Sequence, residues 1–193
     1  MRYPAAETAE KHTRILQEAA RLFRERGFSG VSVAEIMKAT GLTHGPFYNH
    51  FSSKEALMKE SIEYGAGETL ANLATASATP EGLMAYIDDY LSVAHRDCPA
   101  QGCLVATLAT EIGRENAVRP PLTRLVAATV DRLAQWFPRR AGKEARGDAI
   151  RVYASMVGAI ILARAVQDDK LSREILREVN SGIKTMLPPG GTP

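Results

Sequence analysis

The run from Val31 to Phe51 leaves few folds open to this chain. Ser32 is a good helix N-cap, and Glu35 lies three residues later, so the pair forms a capping box. Val33, Ile36 and Met37 then share one apolar face at helical spacing. Gly41 supplies the backbone freedom that a tight helix C-terminus and turn require, and Leu42 plugs the turn. Thr43 caps a second helix, predicted to start near Thr43 or His44 and run to about Phe51. Pro46 sits in its first turn, where a missing N–H breaks no helical bond. Phe47 and Phe51 are four apart and face inward, with Tyr48 partly beside them. His44, Gly45, Asn49 and His50 are left outward. Ser52 and Glu55 form a second capping box, so a further helix begins at about Ser53. Two short helices joined by a glycine turn, with polar groups exposed on the second, is the layout of a helix-turn-helix. That motif sets its second helix in the major groove of DNA.

A helix carrying Ile15, Leu16, Ala19, Ala20, Leu22 and Phe23 precedes this motif, ends at Gly27, and lets Phe28 pack back. Taken with Gly30 to Ile36, Gly41 to Thr43, Phe47 to Phe51 and Ser53 to Leu57, residues 11 to 60 resemble the TetR family of transcriptional regulators. The remaining residues fit that family's all-helical regulatory domain in length and texture. The resemblance implies phosphate contacts at Thr43, Tyr48, His50 and Lys54, and groove contacts at His44, Gly45 and Asn49. Ser32 has two readings, a phosphate ligand or a cap alone. Asn49 can pair bidentately with adenine or stand as a solvated helix position. His44 and His50 are six apart, lie on different faces and have no carboxylate or cysteine companion, which argues against a metal site.

The rest of the chain reads as helices almost throughout, with no strand and no repeat. A connector spans about Ser53 to Ala74, and Ala76 to Pro80 breaks it. Further helices are predicted over Glu81 to His95, Cys103 to Glu115, from Pro120 or Pro121 to Phe137, Ala145 to Gln167, and Ser172 to Leu187, the last opened by Ser172 as N-cap. Residues 188–193 read as a disordered tail. Ala154, Gly158 and Ala159 leave room for a partner helix, and Val157, Ile161, Ile175, Val179 and Ile183 add apolar area. These features mark either a dimer interface or intrachain core. The family resemblance implies a four-helix bundle between two subunits, with reading heads in successive major grooves roughly 34–36 Å apart.

Met84, Tyr86, Tyr90, Leu104, Leu108, Trp136, Phe137, Tyr153 and Met156 are large, adaptable or aromatic. They form a ligand pocket with a few orienting polar groups, or they are core. Cys103 opens a helix after Gln101 and Gly102, near its positive end, which favours thiolate; the alternative is a small buried hydrophobe. Residues Gly102 to Ala109 with Glu111 also resemble a subgroup of the family that includes cysteine sensors of electrophiles and oxidants. Cys98 is the candidate resolving thiol.

Composition excludes more than it selects. Two cysteines in 193 residues make no disulfide scaffold. The first residues lack a signal-peptide apolar stretch, and the run from Val157 to Ala163 is stopped by Arg164, so the reading is cytoplasmic with no membrane partner. Through residue 60 there are nine Lys or Arg against seven Asp or Glu, and the remainder is balanced at fifteen each. DNA affinity must then come from two copies and placed contacts rather than a broad positive field. Phosphate-loop, nucleophile-elbow and zinc-protease motifs are missing, Asp88–Asp89 and Asp168–Asp169 read as solvated pairs, and no cofactor is expected.

The expectation is an all-α protein. It has a helix-turn-helix head over 1–52, a helical ligand-binding and dimerisation body over 53–187, and a tail over 188–193. Its partners are inverted-repeat double-stranded DNA, a small-molecule effector and a second copy, the two C-terminal helices forming the dimer. The function is a repressor released by the effector, with a Cys103 redox or electrophile sensor as the alternative. A helical interaction protein without DNA binding is the distant one.

Overall fold

The computed structural model describes residues 5–43, 45–76, 80–137 and 142–187, with nine α-helices and no strand among the described residues. His44 and the expected tail over 188–193 lie outside the described residues.

Helix α1 (Ala5–Arg26) stops where Gly27 takes a positive φ of 75°. The Phe28 ring then returns edge-on to Phe23, centroids 5.1 Å apart. Helix α2 (Val33–Ala39) begins with the expected box: Glu35 N donates to Ser32 Oγ at 3.2 Å, and Ser32 N donates to Glu35 Oε2 at 2.8 Å. Gly41, at φ 73°, makes the turn out of it.

The next element corrects the sequence reading. Gly45–Asn49 is a 3-10 helix and not an α-helix reaching Phe51. His50 N donates to Phe47 O at 2.9 Å, one residue tighter than an α-helical bond. Pro46 removes a donor at the start, and five residues are too few for helix propagation to offset the cost of nucleation. Both phenylalanines still turn inward, since Phe47 and Phe51 are buried.

Helix α3 (Lys54–Ala76) is capped by Ser53 rather than Ser52. Ser53 O accepts the first helical bond from Leu57 N, so its own hydroxyl is the one placed to accept from Ala56 N at 3.1 Å. Buried Leu57, Met58, Ser61, Ile62, Gly65, Ala66 and Leu73 recur at helical spacing. That stripe packs on α1 at one end and on a later helix, α7, at the other.

The single helix expected over Glu81 to His95 is two, α4 (Pro80–Tyr90) and α5 (Val93–Asp97). Ser92 breaks it by turning extended and accepting His95 N at 3.0 Å, the local competition that serine side chains offer helices. Helix α6 (Leu104–Ile112) is shorter than predicted and ends at Gly113. Helix α7 (Arg119–Ala134) carries its prolines in the first turn and stops before Trp136 and Phe137, both buried. Helix α8 (Gly142–Ala165) and helix α9 (Asp169–Met186) pack on each other, and α8 also packs on α7.

Ser172 is not the cap of α9. Asp168 is, accepting Lys170 N at 2.8 Å. Ser172 is buried and donates to Ala163 O at 2.7 Å, tying α9 to α8. Among the expected interface residues, Ala159 and Ile183 are buried in this chain's own core. Ile161 and Leu162 point out, 40% and 55% exposed. One continuous cluster of buried side chains runs from Ile15 to Leu187. Among the described residues no helix is long and apolar enough to cross a membrane.

Candidate nucleic-acid interface and effector chamber

The 3-10 turn presents the groups expected to read DNA. Thr43, Gly45 and Asn49 are exposed, and Tyr48 is 67% exposed beside its buried neighbour Phe47. A side chain added at Gly45 would meet no protein atom within 4 Å. The fold therefore makes no demand for glycine there, whereas a surface that must approach closely does. His50 is only half-buried, so it is less outward than expected, and its ring leans on Phe51 and His12. Burial, with His12 and Lys11 adding to it, holds the His50 imidazole below its ordinary value. It is thus a neutral hydrogen-bonding group at pH 7. Ser32 is exposed at the edge of the same surface but is engaged with Glu35, which that cap holds below the usual carboxylate range.

Lys54 has a structural role that the sequence reading did not include. Its Nζ donates to Phe28 O and Val31 O, both at 2.6 Å. Those carbonyls leave α1 and enter α2 with no helical partner, so the ammonium clamps the loop between them. Two of the three ammonium donors are committed to this internal contact. Sequence reasoning missed this, since the two carbonyls lie 26 and 23 residues away.

Behind the head lies a chamber of about 140 Å³ between α3, α4, α5, α7, α8 and the segment from Gln101 to Cys103 that leads into α6. Tyr86, Tyr90, Cys103 and Tyr153 line it as expected. Leu104, Leu108, Trp136, Phe137 and Met156 do not: they are packed core, and Met84 packs against that core. The large apolar side chains and the Trp136 indole go first to the core, leaving the chamber to tyrosines and smaller polar side chains. Thr69, Asn72, Asp89, His95, Gln101 and Thr129 complete the wall, and sequence reasoning missed them. Nothing local distinguishes them from solvated positions.

The chamber is largely hydroxyl-bearing. Burial pushes the Tyr86, Tyr90 and Tyr153 phenols above the ordinary tyrosine value, so all three stay protonated. Tyr90 faces the Cys103 thiol and Tyr153 faces Thr129. Tyr90 Oη and Thr129 Oγ1 are buried and complete no hydrogen bond of normal geometry. His95 Nδ1 lies 2.6 Å from Tyr90 O, and its Nε2 accepts Cys103 N at 2.9 Å. The first contact requires a proton on Nδ1 and the second a lone pair on Nε2, which fixes the neutral tautomer. Cys103 stands at the N-cap of α6, but its thiol makes no capping bond.

Two contacts tie the head to α6 and to the 3-10 turn Pro99–Gln101 that precedes it. Arg24 Nε, near the end of α1, donates to Ala100 O at 2.9 Å, just ahead of the chamber residues Gln101 and Cys103. Glu111 Oε2, near the other end of α6, accepts Phe28 N at 2.8 Å. Glycines make room for both. A side chain at Gly27 would strike the Glu111 carboxylate, and one at Gly65 would press on Arg24 and Leu104 at 3.1 and 3.2 Å.

Comparison with known proteins fits this geometry. The family model for bacterial regulatory proteins of the tetR family matches residues 15–61. YerO of Bacillus subtilis, an HTH-type transcriptional regulator, is 41% identical over 61 residues, 32% of this chain; the match spans only 21% of YerO's own length. MT1294 of Mycobacterium tuberculosis, also named as an HTH-type transcriptional regulator, is 32% identical over 143 residues, 65% of this chain and 70% of that protein. Rv1474c of the same species, named as an HTH-type transcriptional repressor, is 29% identical over 174 residues, 86% of this chain and 87% of that protein. The crystal structure of reduced Escherichia coli NemR shares the fold, with a TM-score of 0.76 at 22% identity over 94% of this chain and all of that one. The chain belongs to the TetR family of bacterial regulatory proteins, which are DNA-binding regulators of transcription and not enzymes.

Proposed function

We propose that this chain is a homodimeric repressor that leaves an inverted-repeat operator when a small molecule occupies the chamber. The observation that supports the reading is that the head is held at two points, by Ala100 in the turn that leads into the chamber residues Gln101 to Cys103 and by Glu111 on α6, the helix those residues open. A ligand that displaces Gln101 to Cys103 displaces Ala100 before them and α6 with Glu111 after them, and so the scaffold of the reading turn. Release requires the ligand to prefer the arrangement that does not fit the operator. The sense of the response is taken from Rv1474c, which is named as a repressor.

In this reading residues 1–52 are the head and 53–187 the body. Asn49 and Gly45 meet the groove, with His44 ahead of them, and Thr43, Tyr48 and neutral His50 meet phosphates. Lys54 positions the head from inside. The second copy docks on the outer faces of α8 and α9, where Ile161, Leu162, Leu171 and Met186 are each at least 40% exposed. An apolar face of that kind needs cover.

Selection of bound duplexes from a random pool, then titration of the winner, tests the proposal. An inverted repeat bound by two subunits is expected. No enrichment from folded protein at low salt overturns DNA reading and leaves a helical interaction protein. A second reading, covalent sensing, is favoured by the place of Cys103 in the chamber wall. Under it, Cys103→Ser abolishes release by oxidants or electrophiles; under reversible binding it leaves release by the effector intact.

A further inference from the structure

The chamber has a neighbour across the Tyr153 ring. A groove of about 590 Å³ runs between α6, α7 and α8, and Tyr153 lines both spaces. The same helices turn different residues to each side: Cys103 and Thr129 to the chamber, Val105 and Val130 to the groove. The chamber alone is smaller than the roughly 300–1,000 Å³ of most small-molecule sites, and the groove brings the pair into that range. We infer that the effector is a neutral amphiphile, with a hydroxyl-bearing head the size of one ring in the chamber and an apolar tail that passes Tyr153 into the groove. The inference rests on the effector reading above and gives it a chemical class.

Size sets the head, since a cavity of about 150 Å³ takes a benzene ring. Two orphan hydroxyls set its polarity. Tyr90 and Thr129 are 7% and 2% exposed, and each has a buried oxygen that faces a wall neighbour, Cys103 and Tyr153, without completing a hydrogen bond of normal geometry. A ligand hydroxyl, which both donates and accepts, satisfies either. Surrounding charge sets its neutrality. An anion meets Asp89 at the exposed rim. A cation meets the Arg24 and Arg164 guanidiniums, which stand near Cys103 on the carbonyls of Ala100, Arg96 and His95. His95 has both nitrogens in use and offers no charge of its own. The tail is set by Leu122, Val126, Val130 and Val157, which make the groove aliphatic; its one charged residue, Arg146, is paired with Asp131.

The test is calorimetric titration of the full chain with phenol, 4-ethylphenol, 4-butylphenol and 4-hexylphenol, with release of the selected operator followed in parallel by fluorescence anisotropy. Affinity is expected to rise about fourfold per added methylene. Val126→Gln is expected to flatten that rise while leaving phenol itself unchanged. Ala127→Leu, which narrows the groove with an apolar group, is expected to do the same and guards against a folding defect in the first variant. Thr129→Val is expected to weaken every homologue by one common factor, about threefold to tenfold. Affinity independent of chain length, a slope that survives both groove variants, or no binding of any homologue overturns the inference. Operator release by some other compound in that last case leaves the effector reading standing. Chain-length-dependent binding with no operator release instead supports the site and overturns the effector reading.

Discussion

His95 shows how much one side chain can organise. It joins the end of α4, through Tyr90 O, to the start of α6, through Cys103 N, and does so only while neutral. Burial holds it below the ordinary value; the Tyr90 carbonyl opposes that shift and Arg164 adds to it. Folded His95 therefore binds its proton less readily than the unfolded chain does. Its contribution to stability is complete above about pH 6.5, the unfolded value, and is lost as pH falls toward and through the lower folded value. His50 is shifted in the same direction and adds to the same slope. Melting temperature is expected to fall from about pH 7 to pH 5, and His95→Gln, which has both a donor and an acceptor, is expected to flatten part of the fall. A variant with the wild-type slope would assign the whole effect elsewhere.

At the scale of elements, the reading turn is short, tight and held from outside itself. Lys54 is the nearest holder, and its role separates cleanly from a phosphate contact. Lys54→Met is expected to destabilise the fold by about 1.5–3 kcal/mol, the cost of losing charge-assisted bonds to two carbonyls. Operator affinity falls with it, but the slope of log affinity against log salt is expected to stay the same. A phosphate contact predicts instead a slope reduced by about one. The same element shows what sequence makes legible. The Ser32–Glu35 box, Gly27, Gly41, and the inward Phe47 and Phe51 were all readable, because each is decided within three or four residues. The Lys54 clamp, the Glu111–Phe28 bond across 83 residues and the burial of Ser172 were not, because each depends on which helices become neighbours. Nearest to a miss by local rules was the helix over 45–49, where one proline and a short run decide between α and 3-10. In the chamber the tyrosines were legible as bulk, while Asn72, Asp89, His95 and Thr129 were hidden among polar positions.

At the scale of the whole molecule, the proposed function requires two couplings, one between copies and one within each. The first is tested at Leu162, 55% exposed on α8. Leu162→Arg is expected to give folded monomers by sedimentation and a loss of at least tenfold in operator affinity, since two linked heads gain over one by effective concentration; a dimer that persists would move the interface off this face. The second is tested at Glu111, which touches neither the reading turn nor the chamber wall yet holds Phe28 N. Linkage makes the test quantitative: if the effector weakens operator binding by some factor, the operator weakens effector binding by the same factor. Both factors can be measured on one protein, by titrating a chamber ligand with and without the operator, and the operator with and without the ligand. In Glu111→Ala the head keeps its Arg24 contact and loses the other. The chamber ligand is expected to bind the free variant as it binds the free wild type, because the wall is intact. The two factors are expected to shrink together toward one, and operator affinity without ligand to fall, because a head held at one point samples spacings that do not fit. Unchanged factors would show that the signal does not pass through Glu111 and leave Arg24 and the α3 spine to carry it. Factors that differ from each other would show that the measurements were not at equilibrium, since no rearrangement of the protein can break that symmetry.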